Sequence, residues 1–182
     1  MNRVSQKGFT LVELVVVIVL LGILAATALP RFMNVNSQAH DSVVAGVAGS
    51  LQTGVSMFHA QWMAQGQPNA NTAITAFNSL RSNSLGYPYG TADNSAGTSN
   101  VTNSADCAAI FSGVLQAGAP TIVSVAAIAA VVGQTTKFAS VAAAPNCTYY
   151  YIGNSSASGT TVPTLTYASA TGVLTQGTVA LP

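Results

Sequence analysis

From Leu14 to Leu29 the chain carries no charge, and from Phe9 onward it is apolar at nearly every position. About 21 residues separate Phe9 from Pro30, enough to cross a bilayer as a helix rising ~1.5 Å per residue. Beyond Pro30 the pattern turns from continuous to periodic. Phe32, Val35, Ala39, Val43, Val47, Leu51, Val55, Phe58 and Trp62 recur every three or four positions, while Asn34, Ser37, Gln38, Asp41 and Gln52 fall off that stripe. The spacing predicts an amphipathic helix over 31–65 with one apolar face turned to a core. Gly66-Gln67-Pro68-Asn69 places Gly and Pro where a helix stops.

The remainder reads as shorter pieces. Asn69 to Asn103 is rich in Asn, Ser, Thr, Gly and Ala and holds the turn-rich run Gly86-Tyr87-Pro88-Tyr89-Gly90, so most of it is expected to be loop. Ser104 is a candidate N-cap for a short helix through Ala108, Ile110, Phe111, Val114 and Leu115, stopped by Gly118-Ala119-Pro120. Thr121 to Val132 is apolar with several β-branched residues but too short to span a membrane, which predicts a buried strand or a core helix. Cys147-Thr148-Tyr149-Tyr150-Tyr151-Ile152 has strand composition. Thr164–Tyr167 and Val173–Thr175 flank a turn at 168–172 and read as a hairpin. A long N-terminal helix followed by antiparallel strands gives an α+β chain, the helix packed on a globular head with a small antiparallel sheet.

Charge changes this picture most. Charged residues make up 5% of the chain against about a quarter in ordinary domains, while 49% are hydrophobic. Disordered chains combine low hydrophobicity with high net charge, so wholesale disorder does not fit. Such a surface suits a subunit covered by neighbours or by lipid. The net charge is +1 with no cluster of Lys or Arg, which argues against nucleic-acid binding as the main role. No enzymatic constellation is present. His40 and His59 lie 19 positions apart at polar or edge positions of the amphipathic helix, and the acids Glu13, Asp41, Asp93 and Asp106 form no metal-binding cluster. There is no Gly-x-Ser-x-Gly elbow and no phosphate-cradling loop. The chain therefore reads as a non-enzyme without cofactor or metal. If the apolar segment exports the chain, Cys107 and Cys147 reach an oxidising compartment and pair. Their bridge would close a loop of about 40 residues, worth roughly 4 kcal/mol in the chain-entropy model. Two thiols without a Cys-x-x-Cys pattern or a nearby His lack the ligands of a zinc site.

The first eight residues, Met1-Asn2-Arg3-Val4-Ser5-Gln6-Lys7-Gly8, are polar and positive, and favour a cytoplasmic N-terminus. An ordinary signal peptide has the same outline, with a small-residue cleavage site at Ala26-Thr27-Ala28. Glu13 separates the two readings. An acid five residues into the apolar segment is costly in lipid and is a functional candidate, and an export signal has no need of it.

Lys7-Gly8-Phe9-Thr10-Leu11-Val12-Glu13-Leu14 resembles the class III leader of type IV prepilins. The resemblance implies cleavage between Gly8 and Phe9 by a prepilin peptidase, which also N-methylates Phe9. It implies that Glu13 pairs with the Phe9 amine of a neighbouring subunit, and that the helix loosens between Gly22 and Pro30 in the assembled filament. The expected division is a leader at 1–8, a transmembrane and filament-core helix at 9–30, its amphipathic continuation at 31–65 and a head at 66–182. The implied partners are identical subunits in a helical filament, the peptidase/methyltransferase, the inner-membrane assembly machinery and, before assembly, the membrane. The implied location is the inner membrane and then an extracellular pilus of a Gram-negative bacterium. Pro30-Arg31-Phe32-Met33-Asn34, Gly86-Tyr87-Pro88, Asp106-Cys107 with Ile110-Phe111, and Cys147-Thr148-Tyr149 are similar to the mannose-sensitive haemagglutinin (MSHA) pilin group, which implies a role in attachment. Other readings of the same leader are a minor pilin or a type II secretion pseudopilin. The major pseudopilins of that system carry a calcium site and usually no disulfide. From another class, a single-pass anchored ligand-binding protein also fits the apolar segment.

Overall fold

A computed structural model describes residues 8–91 and 100–182, without the side chains of residues 30–34, 36 and 37. Arg3, Lys7 and Asp93, and the side chains of Pro30 to Asn34, therefore lie outside the described residues. The contacts divide the chain into two units, Met1–Ser42 and Val43–Pro182.

The first helix, α1, spans Leu11–Ala64. In the first unit the described large apolar side chains are exposed: Leu11 is 78% exposed and Leu24 63% exposed. The candidate membrane span Leu11–Leu29 has 19 residues, a length of about 28 Å at the helical rise. Gly22 and Pro30 both lie within α1 in the chain by itself.

In the second unit the buried apolar side chains of α1 are Val44, Ala48, Leu51, Val55, Phe58 and Trp62, steps of four and three that keep one stripe on the core. This corrects the upper part of the stripe read from the sequence. Val43 is 46% exposed and Val47 only partly buried, and the neighbouring positions 44 and 48 face inward. Stepping back from Leu51 by three or by four fits a helix equally well, and packing selects the step that admits the small Ala48. The helix closes on a Schellman motif. The Gly66 N–H donates to the Met63 carbonyl at 3.0 Å, and the Gln67 N–H to the Trp62 carbonyl at 3.2 Å. Gly66 takes φ +80°, which glycine adopts without a Cβ penalty.

The stretch after α1 is more ordered than its loop-like composition suggests. Strands β1 (Ala73–Ile74), β2 (Leu80–Ser82) and β3 (Pro88–Gly90) pair antiparallel in that order. Ile74, Phe77, Leu80 and Tyr89 enter the core from a largely polar sequence, so few apolar side chains anchor much chain. Helix α2 spans Ser104–Leu115, but its N-cap is Asn103 rather than Ser104: the Asn103 side chain accepts the Asp106 N–H at 2.9 Å. The Ser104 hydroxyl oxygen instead accepts the Ala142 N–H at 3.1 Å.

The larger sheet has the order β4 (Ile122–Ser124), β5 (Phe138–Ala143), β6 (Asn146–Tyr151), β7 (Thr161–Ala168), β8 (Val173–Ala180). All its pairs are antiparallel except β4 with β5, which run parallel. The 121–132 segment is neither a long buried strand nor a core helix. It gives the partly exposed β4 and a 3₁₀ turn at Ile128–Val131, with Val125 and Val131 buried. Strand β5 had no sequence signal among its alanines. The continuous buried run Tyr149-Tyr150-Tyr151-Ile152 at the end of β6 has a topological reason. Alternate residues face opposite sides of a sheet, and here both sides are covered. Tyr149 and Tyr151 join a core with Leu51, Phe58, Phe111 and Phe138, while Tyr150 and the following Ile152 join a second core with Val131, Val162 and Leu181.

Candidate assembly surface

The N-terminus of α1 is closed by its own side chains. The Thr10 N–H and hydroxyl both donate to Glu13 Oε2, at 3.0 and 2.8 Å, and the Glu13 N–H donates to the Thr10 hydroxyl oxygen at 3.3 Å. This reciprocal arrangement is a capping box, a role for Glu13 beyond the charge reading, and its Thr-x-x-Glu signature is present in the sequence. A negative side chain in the first turn also complements the helix dipole. Gly8 and Phe9 precede α1, and Phe9 is 91% exposed. The peptide bond between them thus stands clear of the helix. One carboxylate in an apolar cylinder about 28 Å long defines a surface that needs cover from lipid or from other helices.

In the second unit the sequence-predicted cysteines meet. Cys107 on α2 and Cys147 on β6 form a disulfide with their Cα atoms 5.4 Å apart, both fully buried. The bond ties the helix to the middle of the sheet, and a buried phenol reinforces it: the Tyr149 hydroxyl donates to the Cys107 carbonyl at 3.0 Å. Phe111 packs on Phe138 and Tyr149 with ring centroids 5.1 Å apart in each pair. Burial pushes the Tyr149 phenol well above the usual tyrosine range. Tyr167 moves the same way, first through burial and then through the neighbouring Tyr149 and Tyr87 phenols, and its hydroxyl donates to the Pro88 carbonyl at 2.9 Å.

The other singled-out residues hold structure together. His59 is half-buried between the rings of Tyr87 (4.7 Å between centroids) and Trp62 (5.5 Å), with Nδ1 3.2 Å from the Gly86 carbonyl. His40 is half-buried further up α1. Asp106 is buried, and its carboxylate accepts the Thr102 N–H and hydroxyl. A Cβ on Gly90 would lie 2.3 Å from that carboxylate, so the strand needs glycine there. Among the described residues no three His, Cys, Asp or Glu side chains gather into a metal-binding group.

Two polar residues that matter were missed. Asn83 Nδ2 donates to the Ser169 carbonyl at 2.7 Å, and Oδ1 accepts the Leu85 and Tyr87 N–H groups at 2.9 Å each. Gln52, read only as off the apolar stripe, accepts the Leu174 N–H and donates to the Gly172 carbonyl, binding α1 to the β7–β8 turn. An Asn followed by Ser-Leu-Gly is a turn signal for the first. Nothing local marks the second, whose partners lie about 120 positions away.

Residues 3–29 match the family model for the prokaryotic N-terminal methylation motif. Over 107 residues the chain is 35% identical to the type IV narrow pilus major component of Thermus thermophilus, a match covering 59% of this chain and 88% of that protein. It is 34% identical over 109 residues to the type IV major alpha-pilin of Moraxella bovis, covering 54% of this chain and 69% of the relative. A shorter match, 41% identical over 58 residues, joins it to type II secretion system core protein G of Pseudomonas aeruginosa, covering 32% of this chain and 41% of that one. No solved structure matches. An apolar N-terminal helix carrying the methylation motif and an α+β head define the type IV pilin class of proteins. The chain belongs to the type IV pilin family, whose matched members are structural subunits rather than enzymes.

Proposed function

We propose that this chain is a structural subunit of an extracellular type IV pilus of the MSHA type, polymerising through α1 and mediating attachment to surfaces. The observation that carries the reading is Glu13, the one acid in an uncovered apolar helix that runs from Leu11 to Leu29. In water or lipid the capping box with Thr10 satisfies it, and in a filament its carboxylate meets the methylated Phe9 amine of a neighbour. A buried charge left without such a partner is strongly unfavourable, so the pair sets the axial register of one helix on the next. Residues 1–8 are the leader, removed between Gly8 and Phe9 by the prepilin peptidase. Residues 9–30 hold the subunit in the inner membrane of a Gram-negative cell and then line the filament core, where the helix loosens between Gly22 and Pro30. Residues 31–65 continue it into the head, and residues 66–182 form the outer surface, closed by Cys107–Cys147.

The MSHA reading is supported by the placement of the resembling motifs. Gly86-Tyr87-Pro88 lies against His59 and Tyr167, and Asp106-Cys107 is joined through the disulfide to Cys147-Thr148-Tyr149. They form connected parts of one core. A second reading, a type II secretion pseudopilin, has the 58-residue match in its favour. Mass spectrometry of sheared surface filaments separates the readings. A pilus subunit is their main component and begins at N-methylated Phe9. A mature chain beginning at Leu29, or filaments that lack this chain, overturns the proposal. Loss of protein secretion with filaments and attachment intact in a deletion strain favours the pseudopilin.

A further inference from the structure

Strand β8 is the outer edge of the larger sheet, eight residues long, and only Leu174 and Val179 are even half-buried. The Leu174 N–H donates to Gln52 Oε1 at 3.1 Å, which fixes the phase of the strand. In an antiparallel pair the backbone groups of successive residues point alternately toward and away from the partner. Leu174 points away from β7, and so do Gln176, Thr178 and Ala180. Gln52 serves Leu174, and among the described residues no strand pairs with the outer side of the other three.

Natural sheets protect such an edge with lysine, proline or a bulge. Val173-Leu-Thr-Gln-Gly-Thr-Val-Ala180 contains no proline and no charge, and its ladder to β7 is regular from end to end. The rest of the unit supplies little repulsion. From Val43 onward the charged residues are Arg81, Asp93, Asp106 and Lys137, which sum to zero. Low net charge favours association of like molecules.

We propose that this edge pairs with the same strand of a second copy, antiparallel about a two-fold axis at Gly177, and so joins neighbouring filaments into bundles. The inference rests on the pilus reading above. With the axis at Gly177, Gln176 faces Thr178 of the other copy and Thr178 faces its Gln176. All four are outward-pointing positions, so they exchange four backbone hydrogen bonds. Thr175 then lies opposite Val179, a pairing of two good strand formers. The axis falls on the one residue without a side chain, where the two strands approach closest. A two-fold contact is isologous and cannot repeat along one polar filament, so it links one filament to another. Each edge contact is small, and its repetition along a polymer supplies the avidity.

The test uses filaments assembled from the full chain, counted as single or bundled by electron microscopy and by low-speed sedimentation. Wild-type filaments are expected to bundle. A Gln176→Lys, Thr178→Lys double variant places lysine opposite lysine and is expected to leave single filaments, with at least a tenfold loss of sedimented material. Gln176→Lys with Thr178→Glu places opposite charges across the axis and is expected to restore bundling. Gly177→Cys is expected to give intermolecular disulfide dimers on mild oxidation of assembled filaments, a readout independent of how well the lysine variant assembles. Wild-type filaments that stay single, lysine-variant filaments that bundle as wild type, or no dimers from Gly177→Cys overturn the edge pairing. Filaments that do not contain this chain overturn the pilus reading instead.

Discussion

Removing the disulfide by Cys107→Ala with Cys147→Ala should lower stability by an amount the structure allows one to work out. The bridge closes a 40-residue separation, for which the chain-entropy model gives about 4 kcal/mol at 25 °C. For the roughly 140 residues from Val43 to Pro182, an unfolding entropy of about 2.1 cal/mol/K per residue turns this into a fall in Tm of about 13 °C. The fold should survive the loss. The Tyr149 hydroxyl still donates to the Cys107 carbonyl, and Phe111 still packs on Phe138 and Tyr149, so α2 keeps its seat on the sheet. The assay is thermal unfolding of the full chain in detergent, followed by near-ultraviolet circular dichroism of the buried tyrosines. Wild-type protein unfolded in reductant should match the double variant. A drop of under 3 °C would refute the reasoning, because it would mean that the closed loop does not restrict the unfolded ensemble. Complete loss of the tyrosine signal at 25 °C would refute it in the other direction.

Four further outcomes are expected. Glu13→Gln keeps a capping-box acceptor but no charge, so it should accumulate in the membrane and assemble as poorly as Glu13→Ala; wild-type filament yield from Glu13→Gln, measured by shearing and immunoblot, would show that capping alone is needed. Asn83→Ala removes three hydrogen bonds from a buried turn and should cost about 2–4 kcal/mol in denaturant titration, while Gly172→Ala, whose Cβ would lie 2.2 Å from the Tyr87 ring at φ +70°, should cost about 1–3 kcal/mol. Burial raises the Tyr149 and Tyr167 phenols, so the folded state holds their protons above pH 10 while the unfolded chain has released them. Their contribution is therefore complete below about pH 10 and lost as pH rises beyond it, and ultraviolet absorbance of tyrosinate should appear together with unfolding rather than before it.

What was legible in the sequence was legible because it is local. The helix stop at Gly66 follows from the conformation glycine permits, and the hairpin at 168–172 from turn residues between two β-branched runs. Strand β6 declared itself through composition, and α2 through its cap and its apolar spacing, with an error of one residue at the cap. Strand β5 had no such mark. Alanines carry no strand preference, and Phe138-Ala-Ser-Val-Ala-Ala143 is a strand because Tyr149 to Tyr151 and Ile122 to Ser124 flank it with hydrogen bonds. The small sheet after α1 was likewise hidden, since its strands are only two or three residues long, too short to show an alternation.

By itself the sequence determined that the chain has an apolar span of membrane length with a single acid within it, and an N-terminal methylation motif. These are properties of adjacent residues and need no fold. Only the tertiary structure decided which of two equivalent helix steps faces the core, that Gln52 holds the β7–β8 turn, that Asn83 organises the Gly86-Tyr87-Pro88 corner, and that β8 is left at an edge. The reason is physical. Periodicity fixes the spacing of a face but not its partner, and a hydrogen bond between residues 120 positions apart leaves no trace in the neighbours of either.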